Sequence, residues 1–259
     1  MTRVALTIAG SDPSGGAGIQ ADLKTFHQFG VYGQAVVTLI TVQNTRGVGR
    51  VEALPPELVA AQIRAVIEDI PPHAAKTGAL GTEKVACAIA KLAEKFNFPL
   101  VVDPVMTAKG GAPLGGRMLP AFLVTPNLEE ASTLAGFAVN DAASMRRAAE
   151  KIHALGAANV LIKGGHLRGD AVDLLYTAGE FHEFSAPRLA TRHTHGTGCT
   201  YSAAITAELA KGADLLEAVR RAKAFITEAI RTNPGLGGGA GPVNHFAQEE
   251  SEVRSQESE

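Results

Sequence analysis

The six residues 194–199, Thr-His-Gly-Thr-Gly-Cys, carry the strongest chemical signal in this sequence, and an alanine-rich helical pattern begins near Thr200. The glycines at positions 196 and 198 allow a turn in which several backbone N–H groups point the same way, and the positive end of the following helix adds to their field. Such a turn binds an anion, most commonly a phosphate. The alternative is a glycine-rich helix cap around a small buried side chain.

Cys199 closes this turn at the expected helix N-terminus. A thiolate is stabilised at that position, so we expect the pKa of the thiol to be lowered. With Gly196, Thr197 and Gly198, the cysteine would form an anion cradle that contains an activatable side chain, which is what phosphoryl transfer needs. The flanking His193 and His195 are expected to hydrogen-bond the backbone, because the sequence offers no Cys/His cluster that would make them metal ligands.

A second glycine-rich segment follows the first predicted strand. Residues 16–21, Gly-Ala-Gly-Ile-Gln-Ala, satisfy the dinucleotide fingerprint and open a predicted helix. A nicotinamide site would also need an acid after the second strand to hold the ribose, yet no Asp or Glu lies between Leu23 and Val51. The other use of this loop, with Asp22, is to hold a small polar substrate at the strand ends. Asp22 could equally be a surface carboxylate in the first helical turn.

Polar residues follow several other predicted strands. Asn127 and Glu130 are three residues apart, on one side of a first helical turn, which suits water-mediated magnesium binding or a capping box, and the two are compatible. Lys163, beside two glycines, could neutralise a phosphate or be a solvated loop lysine. Asp103 ends an apolar strand and would be costly to bury without a metal, a lysine or a substrate proton as its partner.

Short apolar runs alternate with longer helical patterns, which predicts an α/β fold with a mostly parallel sheet covered by helices on both faces. A late hairpin indicates an antiparallel edge. Strands are predicted at residues 4–9, 34–42, 74–77, 100–103, 122–125, 159–162, 171–176 and 180–185. Helices are predicted at residues 17–29, 56–69, 83–96, 128–134 and 142–155, with two more between 199 and 231.

Composition narrows the functional class. Apolar residues make up 46% of the 259-residue chain and the formal net charge is −2, so nothing suggests a nucleic-acid-binding surface. The N-terminus does not resemble a signal peptide and no apolar stretch is long enough to span a membrane, which predicts a cytoplasmic protein.

Cys87 lies in an apolar helical run and is predicted to be a buried core thiol. Residues 1–246 are predicted to form one domain, followed by an acidic, disordered tail at 247–259.

Six segments, in this order, resemble those of hydroxymethylpyrimidine/phosphomethylpyrimidine kinases, a family of the ribokinase superfamily that serves thiamine biosynthesis. They are Ala-Gly-Ser-Asp-Pro-Ser-Gly-Gly-Ala-Gly-Ile-Gln-Ala-Asp at 9–22, Lys-Thr-Gly at 76–78, Val-Asp-Pro-Val-Met at 102–106, Thr-Pro-Asn-Leu-Glu-Glu-Ala at 125–131, Lys-Gly-Gly-His at 163–166 and His-Gly-Thr-Gly-Cys at 195–199. The resemblance covers the chain to about residue 246 and implies a ribokinase-like three-layer α/β/α sandwich.

The resemblance implies that the chain uses ATP and Mg²⁺ to phosphorylate 4-amino-5-hydroxymethyl-2-methylpyrimidine and then the monophosphate, without a Walker A motif, since no Gly-Lys pair occurs. Each candidate residue then has an implied role: Cys199 as the catalytic residue, Gly196, Thr197 and Gly198 as the anion hole, Asp22 and Gln43 as the pyrimidine contacts, Asn127 and Glu130 as the magnesium motif, Lys163 beside the ATP phosphates, and Asp103 in ordering metal and phosphate. A homodimer is expected from the same resemblance.

Three alternatives stay open at this point. A pyridoxal or pyridoxine kinase shares the superfamily fold, although the stretch from Met106 to Gly111 lacks the cysteine with which some of these enzymes capture the aldehyde. A nicotinamide-dependent oxidoreductase is the alternative of a different class. A catalytically silent binding protein is the third, but such a protein has no use for the full set of Asp103, Asn127, Glu130, Lys163 and Cys199.

Overall fold

The computed structural model describes residues 1–105, 120–165 and 169–248. The strands are β1 (Val4–Ser11), β2 (Tyr32–Asn44), β3 (Gly47–Ala53), β4 (Ala74–Thr77), β5 (Leu100–Val102), β6 (Leu123–Val124), β7 (Asn159–Ile162), β8 (Ala171–Thr177) and β9 (Glu180–Ala186). The helices are α1 (Gly18–Gln28), α2 (Pro56–Asp69), α3 (Glu83–Ala93), α4 (Leu128–Ala135), α5 (Ala142–Ala154), α6 (Thr197–Lys211) and α7 (Leu215–Arg231).

The strands of the described residues form one sheet in the order β3-β2-β1-β4-β5-β6-β7-β8-β9. Its centre, from β2 to β7, is parallel, and both edges are antiparallel: β3 pairs with β2, and β8 pairs with β7 and β9. The parallel sheet and the late hairpin confirm the sequence prediction. The β3 edge was not predicted, because residues 47–52 are exposed and show no apolar face that would mark a strand.

Each face of the sheet is covered by its own hydrophobic core, so the molecule has three layers. Side chains alternate between faces along a strand: Leu6 and Ile8 of β1 belong to the core beneath α2, α3, α4 and α5, whereas Ala5 belongs to the core beneath α1, α6 and α7. Every residue of α6 from Thr200 to Ala210 is buried. Its many alanines allow this central helix to lie close to the sheet, and it begins at the strand ends where polar residues collect.

The prediction of a buried core thiol at Cys87 is wrong, because this side chain is exposed. The residues of α3 that face the core are Val85, Ile89 and Ala93, at intervals of four. Cys87 is two residues beyond Val85, which places it about 200° around the helix axis and therefore on the outer face.

Three features of the sequence lie outside the described residues: the stretch from Met106 to Gly111, His166, and most of the predicted tail, residues 249–259. Among the residues that are described, no helix combines the length and hydrophobicity that a membrane-spanning helix needs.

Candidate active site

Polar residues meet where the parallel strands end against the N-terminus of α6. Lys76 lies within β4, Asp103 directly follows β5 and Lys163 directly follows β7. Helix α6 packs against β1, β4 and β5, so its first turn lies over these strand ends. Ligands of open α/β sheets bind at such carboxyl ends, and this region is therefore the candidate active site.

The turn before α6 is built from two glycines with different functions. Gly196 is the N-cap of α6 and has a φ of +79°, and a side chain there would collide with the carbonyl oxygen of Gly16. Only glycine fits this conformation and this close approach to the loop that contains Gly16. At Gly198, a Cβ atom would lie 3.3 Å from Nζ of Lys163 and 3.7 Å from Oδ2 of Asp103. Because Gly198 has no side chain, the backbone can approach a ligand held by these charges.

Cys199 lies in this first turn, but the expectation of a lowered pKa is wrong. Burial raises the pKa of the thiol to about 11, against the opposing effect of Lys76, and the charges of Asp22 and Asp103 raise it further. The field of a helix N-terminus is a local effect and is outweighed here by desolvation and two carboxylates. The thiol is therefore protonated at neutral pH.

Asp22 forms a buried ion pair with Lys76. Oδ1 of Asp22 accepts a hydrogen bond from Nζ of Lys76 at 2.6 Å, and Oδ2 accepts one from Oγ1 of Thr7 at 2.6 Å. Both charged side chains are fully buried, so Asp22 is not the surface carboxylate that one interpretation expected. Its contact with the pyrimidine stays a prediction. Nζ of Lys76 also donates to the carbonyl oxygen of Cys199 at 3.4 Å, which places the pair beneath the first turn of α6.

The ionisation of this pair follows from two opposing effects. Burial raises the pKa of Asp22, although Lys76 and Thr7 favour its charged form. Burial also opposes the charge of Lys76, but the carboxylate holds the pKa of Lys76 above its usual value. The 2.6 Å contact and the second donor from Thr7 favour the ion pair. The sequence does contain a signal for this partner of Asp22, because Lys76 lies within the buried strand β4, where a lysine needs an acid beside it.

Asp103 and Lys163 form the second charged pair of the site. Oδ1 of Asp103 accepts hydrogen bonds from Nζ of Lys163 at 2.9 Å and from Oγ1 of Thr125 at 3.2 Å, and Ser202 donates to its Oδ2 at 3.4 Å. Burial alone would raise the pKa of Asp103, but Lys163 and Lys76 lower it, so the group is a carboxylate. A lysine is thus the partner that this buried acid requires.

Asn127 and Glu130 form the capping box of α4, as one interpretation of their spacing predicted. Oδ1 of Asn127 accepts from the backbone N–H of Glu130 at 2.9 Å, and Oε2 of Glu130 accepts from the N–H of Asn127 at 2.8 Å. Burial raises the pKa of Glu130, with Lys163 acting in the opposite direction. The box brings the start of α4 next to Lys163, whose backbone N–H donates to the carbonyl oxygen of Pro126 at 2.8 Å.

The donor set of the site fits a magnesium ion that is carried by phosphates. Mg²⁺ is usually bound through one or two carboxylates and the phosphates of its nucleotide. Asp103 and Glu130 both interact electrostatically with Lys163, and Oδ1 of Asn127 is the neighbouring amide oxygen. Within residues 1–105, 120–165 and 169–248, no three His, Cys, Asp or Glu side chains are grouped as a metal cage of their own.

The two histidines before α6 differ in their contacts. Nδ1 of His193 accepts a hydrogen bond from the backbone N–H of Gly241 at 3.2 Å, as predicted. The side chain of His195 instead contacts two side chains, with Nε2 at 2.8 Å from Oδ2 of Asp12 and 3.3 Å from Nε2 of Gln43. Asp12 and this cluster were not predicted from the sequence, because residues 12, 43 and 195 are distant in the chain.

A cleft of about 670 Å³ opens beside Lys163 and Gly198. Its wall continues along α7 with apolar side chains such as Ile226 and Ile230. A volume of this size holds a nucleotide, with a polar end for phosphates and apolar surface for a base. The structure therefore brings Lys163, Asn127, Thr197 and Gly198 to one cleft, with Asp103 behind Lys163.

Comparison with known proteins places these features in a family. A family model described as phosphomethylpyrimidine kinase matches residues 12–244. The thiamine biosynthesis bifunctional protein ThiED of Geobacter sulfurreducens is 52% identical over 253 residues, which cover 93% of this chain and 52% of that protein, so the chain spans about half its length. The hydroxymethylpyrimidine/phosphomethylpyrimidine kinase of Streptomyces coelicolor is 49% identical, with 93% of both chains covered.

Solved structures show the same fold. The chain is similar to a pyridoxal kinase from Bacillus subtilis solved as an ADP complex, with 42% identity, a TM-score of 0.90, and coverage of 95% of this chain and 98% of that one. It is also similar to a phosphomethylpyrimidine kinase from Clostridium difficile, with 44% identity, a TM-score of 0.77, and coverage of 88% of this chain and all of that one. These matches confirm the ribokinase-like fold.

Proposed function

The chain belongs to the phosphomethylpyrimidine kinase family, and on that premise we propose that it transfers phosphate from ATP to 4-amino-5-hydroxymethyl-2-methylpyrimidine and then to the resulting monophosphate, giving the diphosphate used in thiamine biosynthesis. The chain is a phosphotransferase, and the first 246 residues are the proposed kinase domain. The observation that carries the proposal is the position of Gly198, whose backbone faces the Lys163–Asp103 pair at the N-terminus of α6.

ATP would occupy the cleft beside Lys163. The phosphates would lie at its polar end, where Lys163 supplies a point charge and the first N–H groups of α6 have no partner within the helix. Asp103 holds the Lys163 side chain at 2.9 Å, so the cation is positioned before a nucleotide binds. This arrangement would bind the ATP phosphates and stabilise their charge, as a Walker A loop does, with a different set of residues.

Magnesium would be held by the ATP phosphates together with Asp103, Glu130 and Asn127. The ion would neutralise charge on the transferred phosphoryl group. Oε2 of Glu130 and Oδ1 of Asn127 already accept backbone hydrogen bonds in the capping box. Water-mediated contacts therefore suit these two residues better than direct ligation.

The proposed mechanism depends more on the cradle than on a base. With a pKa of about 11, roughly one Cys199 thiol in ten thousand is a thiolate at pH 7, and a protonated thiol cannot accept the substrate proton. A loose phosphoryl-transfer transition state lets the hydroxyl proton leave late, so it places little demand on a base. Cys199 would therefore assist the first transfer through its thiolate fraction. The second transfer, in which a phosphate oxygen attacks, needs no base.

We propose that the chain forms a homodimer, for which the β2–β3 hairpin offers a candidate surface. Four large apolar side chains on the β2–β3 hairpin are between 47% and 62% exposed: Ile40 and Val42 on one face, and Val48 and Val51, which pair with Gln43 and Thr41, on the other. Apolar side chains exposed in this way on an edge hairpin offer a candidate protein interaction surface. We propose that a second copy of the chain covers it, in a cytoplasmic enzyme whose other partners are small molecules.

A second candidate function is pyridoxal phosphorylation. The observation that favours it is the TM-score of 0.90 to a pyridoxal kinase, against 0.77 to a phosphomethylpyrimidine kinase. The curated relatives favour the pyrimidine substrates. The family match leaves no support for the oxidoreductase alternative.

A coupled assay of ADP release tests the proposal. The enzyme is supplied with Mg²⁺ and ATP, and with hydroxymethylpyrimidine, its monophosphate or pyridoxal as acceptor. The proposal predicts turnover with both pyrimidines at higher kcat/KM than with pyridoxal. Turnover with pyridoxal alone would establish the second candidate, and no turnover with any acceptor would reject both.

A further inference from the structure

His195 lies between the loop after β1, which contains Asp12 and Gly16, and Gln43 at the end of β2. Its Nε2 is 2.8 Å from Oδ2 of Asp12 and 3.3 Å from Nε2 of Gln43. The absence of a side chain at Gly16 makes room for the imidazole, since a Cβ there would lie 2.5 Å from its Cδ2. The backbone N–H of His195 donates to the carbonyl oxygen of Gly241 at 3.0 Å, so the residue is held from both ends.

Asp12 determines which nitrogen of His195 carries a proton. Its carboxylate is 3% exposed and accepts hydrogen bonds from the N–H and hydroxyl of Ser14 and from the N–H of Ala17, besides the contact with His195. Burial works against the charge, but these donors lower the pKa of Asp12 to about 2. An ionised carboxylate at 2.8 Å would repel an imidazole lone pair, so Nε2 of His195 carries hydrogen and donates to Asp12.

This protonation constrains the amide of Gln43. Two N–H donors cannot face each other at 3.3 Å, so the amide is turned with Oε1 towards Nε2–H of His195 and its NH₂ group on the other side. We propose that Asp12 and His195 are positioning residues that fix the Gln43 amide in this orientation, an inference that rests on the proposed function. The fixed amide makes the site selective for a ring that bears an amino group beside a ring nitrogen.

The chemistry of the two acceptor rings explains the selectivity. An amide held in one orientation makes two hydrogen bonds to an aminopyrimidine edge, with the oxygen accepting from the amino group and the NH₂ donating to the ring nitrogen. The oxygen of Gln43 has two lone pairs, so it can face the positive end of the Nε2–H bond, whose hydrogen is donated mainly to Asp12, and still accept from the ligand. Pyridoxal carries an aldehyde oxygen beside its hydroxymethyl group, where the pyrimidine has the amino group. A fixed acceptor repels that aldehyde, whereas a freely rotating amide does not.

The test compares substrate preference in variants of His195, measured as the ratio of kcat/KM for hydroxymethylpyrimidine to kcat/KM for pyridoxal. His195→Leu removes the donor, and we expect the ratio to fall about tenfold, the effect of one lost hydrogen bond. The KM for ATP should stay within about twofold, because none of Asp12, Gln43 and His195 lines the nucleotide cleft. His195→Gln places an N–H donor near the position of Nε2 and should retain the ratio. His193→Gln, in the same turn, is the matched control.

The outcomes separate this inference from the proposed function. An unchanged ratio in folded His195→Leu would overturn the inference alone. Strictly additive effects of His195→Leu and Gln43→Ala would do the same, because coupled residues are not additive. If His195→Leu does not fold, His195→Asn, whose shorter amide does not reach Asp12, takes its place. A wild-type enzyme that phosphorylates neither pyrimidine would overturn both the function and the inference.

Discussion

Nζ of Lys76 lies 2.6 Å from Oδ1 of Asp22, and neither side chain has exposed surface. The same ammonium group donates to the carbonyl oxygen of Cys199 at 3.4 Å. A buried ion pair thus joins α1 and β4 to the first turn of α6. Its geometry fixes the position of the turn at residues 194–199 relative to the strand ends, although neither charge reaches the cleft.

Removing one member of this pair should strongly destabilise the fold. Asp22→Asn leaves the Lys76 charge buried without its partner, which costs about 3–5 kcal/mol in the free energy of unfolding. The double variant Asp22→Asn with Lys76→Met should be more stable than the sum of the single effects predicts, because no lone charge remains. Urea unfolding of the four proteins measures this. Additive single effects would show that the two groups are not coupled.

The two transfers and their pH dependence test whether Cys199 acts as a base. If its thiolate assists the first transfer, the component of kcat for hydroxymethylpyrimidine that depends on Cys199 should rise about tenfold per pH unit from pH 7 towards the pKa of about 11. Cys199→Ala should abolish this rise and slow the first transfer more than the second. Single-turnover rates for each acceptor, measured from pH 7 to 9.5, provide the check. Equal losses in both steps would contradict this role.

Gly198 should be sensitive to the smallest added side chain. In Gly198→Ala, the new Cβ would lie 3.3 Å from Nζ of Lys163, so it would occupy the space next to the phosphate-binding charge. We expect the KM for ATP to rise about tenfold while the free energy of unfolding changes little, because alanine is a better helix former than glycine. Gly49→Ala is the control, since its Cβ meets only ordinary contacts. An unchanged KM would place the phosphates elsewhere.

His245 should make the fold less stable in mild acid. Burial, with the charges of Lys24 and His195, lowers the pKa of His245 from 6.5 to about 4. Between these values the unfolded chain binds a proton that the folded chain does not, so stability falls as the pH decreases. The contribution is about 2 kcal/mol between pH 7.5 and pH 5. Urea unfolding at both pH values should show that His245→Gln lacks this component. The same pH dependence in both proteins would refute the assignment.

The exposed hairpin should control the oligomeric state. Val42→Lys and Val48→Glu, introduced together, place one charge on each face of the β2–β3 hairpin and should convert a dimer to a monomer in sedimentation velocity. The surface-matched change Leu58→Lys, on α2, should leave the state unaltered. A monomeric wild-type protein would reject the proposed dimer.

The sequence predicted what depends on local pattern. Residues 56–69 and 74–77 were assigned a helix and a strand with the bounds that the structure shows, because capping, proline placement and apolar runs are local signals. Strand β3 was missed because both of its faces are exposed. Cys87 was misplaced because an apolar helical run does not by itself reveal which face is buried.

The candidate site was predictable as a set of residues but not as a network. Asp22 and Lys76 are 54 positions apart, and Asp12 and His195 are 183 apart, so no spacing rule joins them. The pKa of Cys199 shows the same limit. The sequence predicted its position at a helix N-terminus. The burial and the two carboxylates that raise its pKa arise only when the chain folds.

The most direct measurement is ³¹P NMR of the product that the wild-type enzyme makes from hydroxymethylpyrimidine, ATP and Mg²⁺. We expect a monophosphate resonance to arise first and to be replaced by the two coupled resonances of a diphosphate ester. The same enzyme given the monophosphate should produce the diphosphate without delay. If only the ATP signals persist with both pyrimidines, the chain is not the two-step kinase proposed here.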